Sequence, residues 1–426
     1  MAEIKPFRGV LYNQAAVQLE EVVAPPYDVI TPEEQQKLYG RNPRNVVRLI
    51  LGREADWHAS AARYLEDWMG SSVLVRDKEP AIYVLWQTFR DANGKELTRK
   101  GFIALCRLEE FENRVVLPHE KTHAQVREDR FRLFKATNAN LSQVFALYSD
   151  PERTIQRLLN GLSSTRPSAE TVFDHVDNRL WKLRDEKAIE QIRSLMRTKQ
   201  VLIADGHHRY ETALAYRNWI RSQNSLRRGE WPYDYIMMYF TNVVEDGLVI
   251  LPTHRLVHSL SDFEPKVLLT KLEEHFILRQ YKEKESLLAA LGSSPVVAFG
   301  LAVQGESTFY LLTLKPTVPV KDLVAEEVPQ EVKDLDVTVL HSVVLRNILA
   351  ISTEAQTEKR HLEYTHDATE AIQAVHSGKA QLAFLMNPTK IEQVRTVANA
   401  GHTMPHKSTF FYPKLLSGLV LNLMTE

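Results

Sequence analysis

Cysteine is almost missing from this chain: Cys106 is the one thiol in 426 residues. A lone cysteine excludes an intrachain disulfide framework and any metal centre built on several thiolates. It sits in the apolar run Phe102-Ile103-Ala104-Leu105-Cys106, which reads as a buried, inert thiol. Long apolar runs are missing too. None reaches the roughly 18 residues needed to span a bilayer, and Met1-Ala2-Glu3-Ile4-Lys5-Pro6 lacks the apolar region of a signal peptide. A cytoplasmic protein without a membrane partner is expected. Excess charge of one sign is the third absence. A formal net charge of -1 gives no bulk drive toward nucleic acid, and basic residues come only in scattered pairs such as Arg227-Arg228. There is no internal repeat and no low-complexity tract.

What is present describes an ordinary globular protein: 44% hydrophobic and 25% charged residues. The length suits two or three domains at about 150 residues each. Thr31-Pro32-Glu33-Glu34 reads as N-cap, first-turn proline and early acids of a helix. Asn45 to Leu51 reads as a strand and Ala55 to Met69 as an amphipathic helix. Ala81–Phe89 and Gly101–Leu108 read as a hairpin around Asp91-Ala92-Asn93-Gly94. Glu128 to Asn140 reads as a charged helix, Glu186 to Thr198 as another, and Gln223 to Gly229 as a polar connector. Val296–Val303 and Phe309–Leu314 suggest paired strands, with a linker over 316–329. Helices over 337–351, 368–377 and 391–400 and a strand over 381–385 follow. Strands and helices mix irregularly, so the expected class is α+β.

The chain is organised around Val201-Leu202-Ile203-Ala204-Asp205-Gly206-His207-His208-Arg209-Tyr210. An apolar strand breaks at Asp205-Gly206 and becomes a helix with Ala213, Leu214, Tyr216 and Ile220 on one face. Helix-start N–H groups lack intrahelical partners and the helix dipole favours an anion there. Gly206 permits close backbone approach, and Arg209 can fork onto phosphate or carboxylate. An anion site, phosphate above all, is the functional reading. The plainer one is Asp205 as an N-cap before a solvated first turn.

His119-Glu120-Lys121-Thr122-His123 matches H-E-x-x-H. That motif holds zinc only on a helix, where imidazoles four apart share a face. The preceding Leu117-Pro118, after a β-branched run, points instead to a strand-to-loop corner. In that setting Glu120 is a candidate general base, and His119 and Lys121 are candidate phosphate contacts; an exposed charged loop is the alternative. The rigid Pro25-Pro26 segment presents Tyr27 and Asp28. Asp129-Arg130 is either a carboxylate-binding pair or an internal ion pair. Lys407-Ser408-Thr409 is a polar cluster between apolar flanks, or a local turn.

These segments together resemble the uncharacterised bacterial and archaeal family DUF1015, over essentially the whole chain. The matching blocks are Pro6-Phe7-Arg8-Gly9, Ala24 to Ile30, Pro118 to Thr122, Asp129-Arg130, Ala204 to Ala213, Lys407-Ser408-Thr409 and Phe411 to Leu415. The Asp-Gly-His-His-Arg block is also similar to the phosphate-binding turn of the ParB/sulfiredoxin superfamily. Its free-serine kinases carry Asp-Gly-His-x-Arg, and His208 here stands in place of a threonine.

The resemblance implies a ParB/sulfiredoxin-like mixed core over 1–228 carrying the phosphate turn, an α/β middle region over 229–318, and a C-terminal α/β region over 330–426 that completes the site. It implies ATP or ADP held by Gly206, His207, His208, Arg209 and Lys121. Glu120, His119 and Asp205 would be catalytic, and Tyr27, Asp28, Arg130, Lys407 and Ser408 would hold a small acceptor. Mg²⁺ would ride mainly on phosphates and water, with Asp205 or Asp28 assisting and no dedicated protein metal site. The expected function is a nucleotide-dependent kinase of a small hydroxyl metabolite, free serine first. A nucleotide-binding regulatory switch and a zinc hydrolase are the alternatives. A homodimer is compatible with the sequence.

Overall fold

The computed structural model describes residues 1–223, 230–324, 327–357 and 360–425. The expected connector 224–229, with Arg227-Arg228, lies outside them, as do 325–326 of the expected linker. The chain is α+β and divides into two compact units. The first comprises 1–118, 122–249 and 413–426; the second comprises 119–121 and 250–412.

The first unit is built on a nine-stranded mixed sheet among the described residues. Its order is Val116–Leu117, Val201–Asp205, Val144–Tyr148, Tyr235–Asn242, Glu96–Arg107, Ile82–Arg90, Val176–Leu183, Ala169–Phe173, with Ile4–Lys5 also pairing with Glu96–Arg107. Strand 201–205 runs parallel to 116–117 and antiparallel to 144–148. Tyr235–Asn242 is buried along its whole length, as expected of a central strand covered on both faces. The long hairpin forms where its turn signal stands. Asp91 Oδ1 accepts from the backbone N–H groups of Asn93 and Lys95, both at 2.9 Å, and Gly94 takes φ +76°.

Helix Trp57–Gly70 starts on Asp56, whose carboxylate accepts from Ala59 N–H at 3.2 Å, and buries Ala61, Leu65 and Trp68. Thr31 caps helix Pro32–Arg41 in the same way through Glu34 N–H. The charged helix begins earlier than expected and spans Ala124–Thr137.

One expectation is corrected. Asn45 to Leu51 is not a strand: Val47–Ile50 is a short helix. Its β-branched residues favour a strand locally, but the buried Asn45 side chain overrides them. It accepts from Val47 N–H at 2.9 Å and donates to the carbonyls of Glu21 and Val23.

The second unit carries a six-stranded antiparallel sheet, ordered Phe276–Tyr281, Phe309–Leu314, Ala298–Val303, Leu382–Leu385, His254–Val257, Leu362–Thr365. Helices Lys284–Gly292 and Ala368–His376 pack on it through Leu287, Leu291, Ala371 and Val375. The helix expected over 337–351 is a short α segment, Asp336–Val339, followed by a π-helix, Leu340–Ile348. Among the described residues no helix is long and apolar enough to cross a membrane.

Candidate functional site

Strand Val201–Asp205 is buried up to its last residue, and a register shift between Ile203 and Asp205 leaves Ala204 unpaired against 144–148. Such a bulge re-aims the side chains beyond it. Gly206 follows at φ +93°, and helix His207–Gln223 starts at the next residue. Strand, left-handed turn and helix start therefore succeed one another at the place the sequence singles out.

Asp205 is the centre of this turn. Its Oδ2 accepts from Lys414 Nζ at 3.0 Å, and Arg209 Nη2 lies 3.8 Å from Oδ1. Burial opposes the charge on Asp205, but Lys414, Arg209 and His207 outweigh it and hold the carboxyl well below the usual range. Asp205 is thus a fixed anion with little affinity for a proton. Arg209 does not reach outward. It folds back so that a Cβ on Gly206 would stand 2.9 Å from its guanidinium, and it donates to the Gln143 carbonyl. Its Nε–H is buried without a hydrogen-bond partner.

His207 is buried at 3% exposure. His208 is half-buried and its Nε2 accepts from His123 N–H at 2.9 Å, which puts the ring proton of the neutral form on Nδ1. Burial and then His123 lower the His208 pKa, against the pull of Asp28 and Glu211.

Tyr27, Arg130 and Arg209 line one small cavity of about 20 Å³, together with Ser142 and apolar residues of the sheet and of helix 124–137. The Arg130 guanidinium lies 4.1 Å from the Tyr27 ring centroid and 5.0 Å from that of Trp57. Arg130 is ion-paired to Asp129, whose other oxygen meets His58 Nε2 at 3.0 Å. The internal ion pair anticipated for Asp129-Arg130 therefore exists, and it leaves Arg130 on the cavity wall. Asp28 is exposed. Burial, then Asp28, push the Tyr27 phenol above its ordinary value, so it stays protonated.

The other sequence candidates fall in the second unit. His119 is fully buried; its Nε2 meets Thr409 Oγ1 at 2.9 Å and its carbonyl accepts from Met404 N–H at 2.8 Å. Glu120, half-buried, bridges Met404 in parallel pairing, and Lys121 is exposed. Lys407 takes φ +60°, and its carbonyl accepts from the buried Arg255 at 3.0 Å. Ser408 is buried, with its hydroxyl turned to the Pro405 carbonyl. Two stretches almost 300 residues apart, 119–120 and 404–409, are thus knitted together.

This geometry removes the zinc hydrolase reading. Residues 118–123 are an extended corner and helix 124–137 begins only after His123, so the two imidazoles do not share a helical face. Among the described residues no group of three or more His, Cys, Asp or Glu is placed to hold a metal. Magnesium on Asp205 does not fit either, because that carboxylate is already set against a lysine and an arginine.

Sequence reasoning missed Lys414 and Arg99. Lys414 lies in a block shared with the family pattern but carries no local signature of its own. Arg99, at 0% exposure, stacks its guanidinium 4.6 Å from the Phe145 ring and feels the charge of Asp205.

The chain belongs to the family described as Protein of unknown function (DUF1015), whose model matches residues 4–338. Among curated proteins there is no match. Similar solved structures include a conserved hypothetical protein from Pyrococcus furiosus, 10% identical over 71% of this chain and 89% of that one, TM-score 0.34. A free serine kinase in complex with AMP is 10% identical over 70% and 83%, TM-score 0.34. SbnI with a C-terminal truncation, from Staphylococcus aureus, is 11% identical over 74% and 85%, TM-score 0.35. At these scores the likeness carries no argument about activity.

Proposed function

We propose that this member of the DUF1015 family binds the phosphate chain of a nucleotide at the Asp205–Arg209 turn and transfers a phosphoryl group to a small hydroxyl metabolite, with free serine the first acceptor to try. One observation carries the reading: strand 201–205 ends at Asp205, Gly206 turns at φ +93°, and helix His207–Gln223 starts at once, with Arg209 and Lys414 set beside Asp205. The helix start offers backbone donors and the positive end of its dipole to a phosphoryl group.

Phosphoryl transfer asks the protein mainly for charge neutralisation and alignment. Gly206, His207, His208 and Arg209 are assigned to the phosphates, and Tyr27, Asp28 and Arg130 to the acceptor. The acceptor oxygen bonds to the terminal phosphorus as the bridging P–O bond breaks, and the hydroxyl proton passes to a base. Asp205 is too weakly basic for that step, so its role is to hold its cationic partners. Glu120 keeps the base role that the sequence pattern suggests for it, with His119 beside it in the chain. Lys121, Lys407 and Ser408 remain candidates from the same pattern.

The test is a thermal-shift screen of nucleotides, followed by phosphorus NMR for phosphate transfer with and without serine. A nucleotide at a hundred times its dissociation constant should stabilise the fold by about 2.7 kcal/mol. Nucleotide binding without acceptor-dependent turnover would replace the kinase by a nucleotide-sensing switch. No stabilisation by any nucleotide would end both readings.

A further inference from the structure

Helices Ala124–Thr137 and His207–Gln223 lie side by side in the first unit. His123 N–H donates to His208 Nε2 at 2.9 Å, and eight positions further along both stretches the Phe131 and Tyr216 rings meet edge to face at 6.2 Å. Equal offsets on the two stretches mean that the helices run in the same direction. Their starts therefore adjoin, and the positive ends of their dipoles act together. Below those starts the two helices and Glu110-Phe111 border an open groove of about 710 Å³. That is within the range of about 300–1,000 Å³ in which small-molecule sites fall.

The groove combines apolar ground with one anchored acid. Leu214 and Ala215 line it, with half-buried Phe111 and Phe131. Both rings are fixed by neighbours: Phe111 stacks on Tyr210 at 5.4 Å, and Phe131 stands edge-on to Tyr216 and Trp219. Glu211 is held by Thr122 Oγ1 at 2.6 Å and Arg127 Nη1 at 2.7 Å, both donating to its Oε2. A carboxylate has about four acceptor positions, so Glu211 keeps capacity for hydroxyl groups of a ligand. From Glu211 to Asn218 the groove follows its helix for about 10 Å. This suits a nucleoside and is too short for a docked helix.

We propose that this groove holds the nucleoside of the nucleotide whose phosphates sit at the 205–209 turn, with the ribose hydroxyls donating to Glu211 and the base lying against Phe111 and Phe131. The inference rests on the phosphate reading above and assigns the remainder of the ligand. Charge and helix geometry set the order of the groups. Phosphates belong at the adjoining helix starts, where the dipoles favour an anion. Glu211 follows about 6 Å below His207, one turn down the helix, where the sugar comes next. The aromatic pair and the apolar ground then receive an uncharged planar base, which buries its faces there. The ligand class is accordingly a nucleoside polyphosphate rather than inorganic polyphosphate.

The test is calorimetric titration of the full chain with ADP and with inorganic pyrophosphate, in wild type, Ala215→Gln and Ala215→Ser. Ala215 is exposed, so a longer uncharged side chain there covers the apolar ground without entering the core. Wild type should bind ADP more tightly than pyrophosphate by roughly tenfold or more, the scale of one base–aromatic stack. Ala215→Gln should bring ADP down toward the pyrophosphate affinity and leave pyrophosphate itself unchanged, which also shows the fold intact. Ala215→Ser should behave as wild type. If wild type binds pyrophosphate and Ala215→Gln either keeps its full ADP affinity or weakens both ligands equally, the groove assignment falls while the phosphate site stands. If wild type binds neither ligand, the phosphate reading falls and takes this assignment with it. Adenosine alone gives a second readout. Saturation-transfer NMR should place its base protons in contact with wild type and lose that contact in Ala215→Gln; an equal signal from both would refute the inference.

Discussion

Gly206 bears a load no other residue could take over. Its φ of +93° disfavours any side chain, and a Cβ would collide with the Arg209 guanidinium. Gly206→Ala should therefore cost about 1–3 kcal/mol of stability, measured as a lower denaturant midpoint, with phosphate affinity falling alongside. Asp205 makes a separate prediction. Its folded pKa is depressed, so its contribution is fully present above the ordinary carboxylate value near pH 4 and is lost progressively as pH falls from there toward the depressed folded value. Asp205→Asn should flatten the acid limb of stability against pH, followed by urea melts at successive pH values. At this scale the sequence was legible only in part. Asp-Gly-His-His-Arg announces a turn with anion-binding chemistry because backbone freedom, helix start and cation are adjacent in the chain. That Arg209 curls back, and that Lys414 arrives from the C-terminal segment, is decided by tertiary contacts with no local trace.

Elements with a local cause were legible. The hairpin over 82–107 follows from its Asp-Ala-Asn-Gly turn, helix 32–41 from its Thr31 cap, and helix 57–70 from its amphipathic pattern. The 45–51 segment was not, since a buried asparagine reverses its intrinsic preference. The π-helix Leu340–Ile348 likewise has an ordinary helical periodicity. It supplies the half-buried His341, whose Nε2 lies 3.3 Å from Arg255 Nε. Burial, then Arg255 and His406, hold His341 well below its ordinary value, and burial with Arg255 lowers His254 to about 4. Both rings stay neutral in the fold while an unfolded chain would protonate them below about pH 6.5. Their effect is thus a loss of stability as pH drops from 6.5 toward 4. His341→Gln, which keeps an acceptor for Arg255, should make thermal melting less pH-dependent across that window.

For the whole molecule, the discontinuity of the first unit matters most. Leu423 and Asn422 pair with Ala139 and Asn140, Leu421 exchanges backbone hydrogen bonds with Val10, and Leu415, Leu416, Leu419, Val420 and Leu421 are buried. At about 1.5–3 kcal/mol per buried aliphatic side chain, those five residues match the roughly 5–15 kcal/mol that holds a typical domain together. A chain ending at residue 412 should therefore lose the cooperative unfolding transition of the first unit, seen by circular dichroism during urea titration.

The same connectivity sets a timetable for synthesis. On a ribosome adding roughly 5–20 residues per second, residues 1–249 emerge some ten to thirty seconds before the segment that pairs with Ala139–Asn140 and Val10 and delivers Lys414. The nascent first half must wait with raw edges showing while the second half is made. A messenger cut short anywhere upstream of codon 413 would then yield no working copy at all, rather than a weakened one.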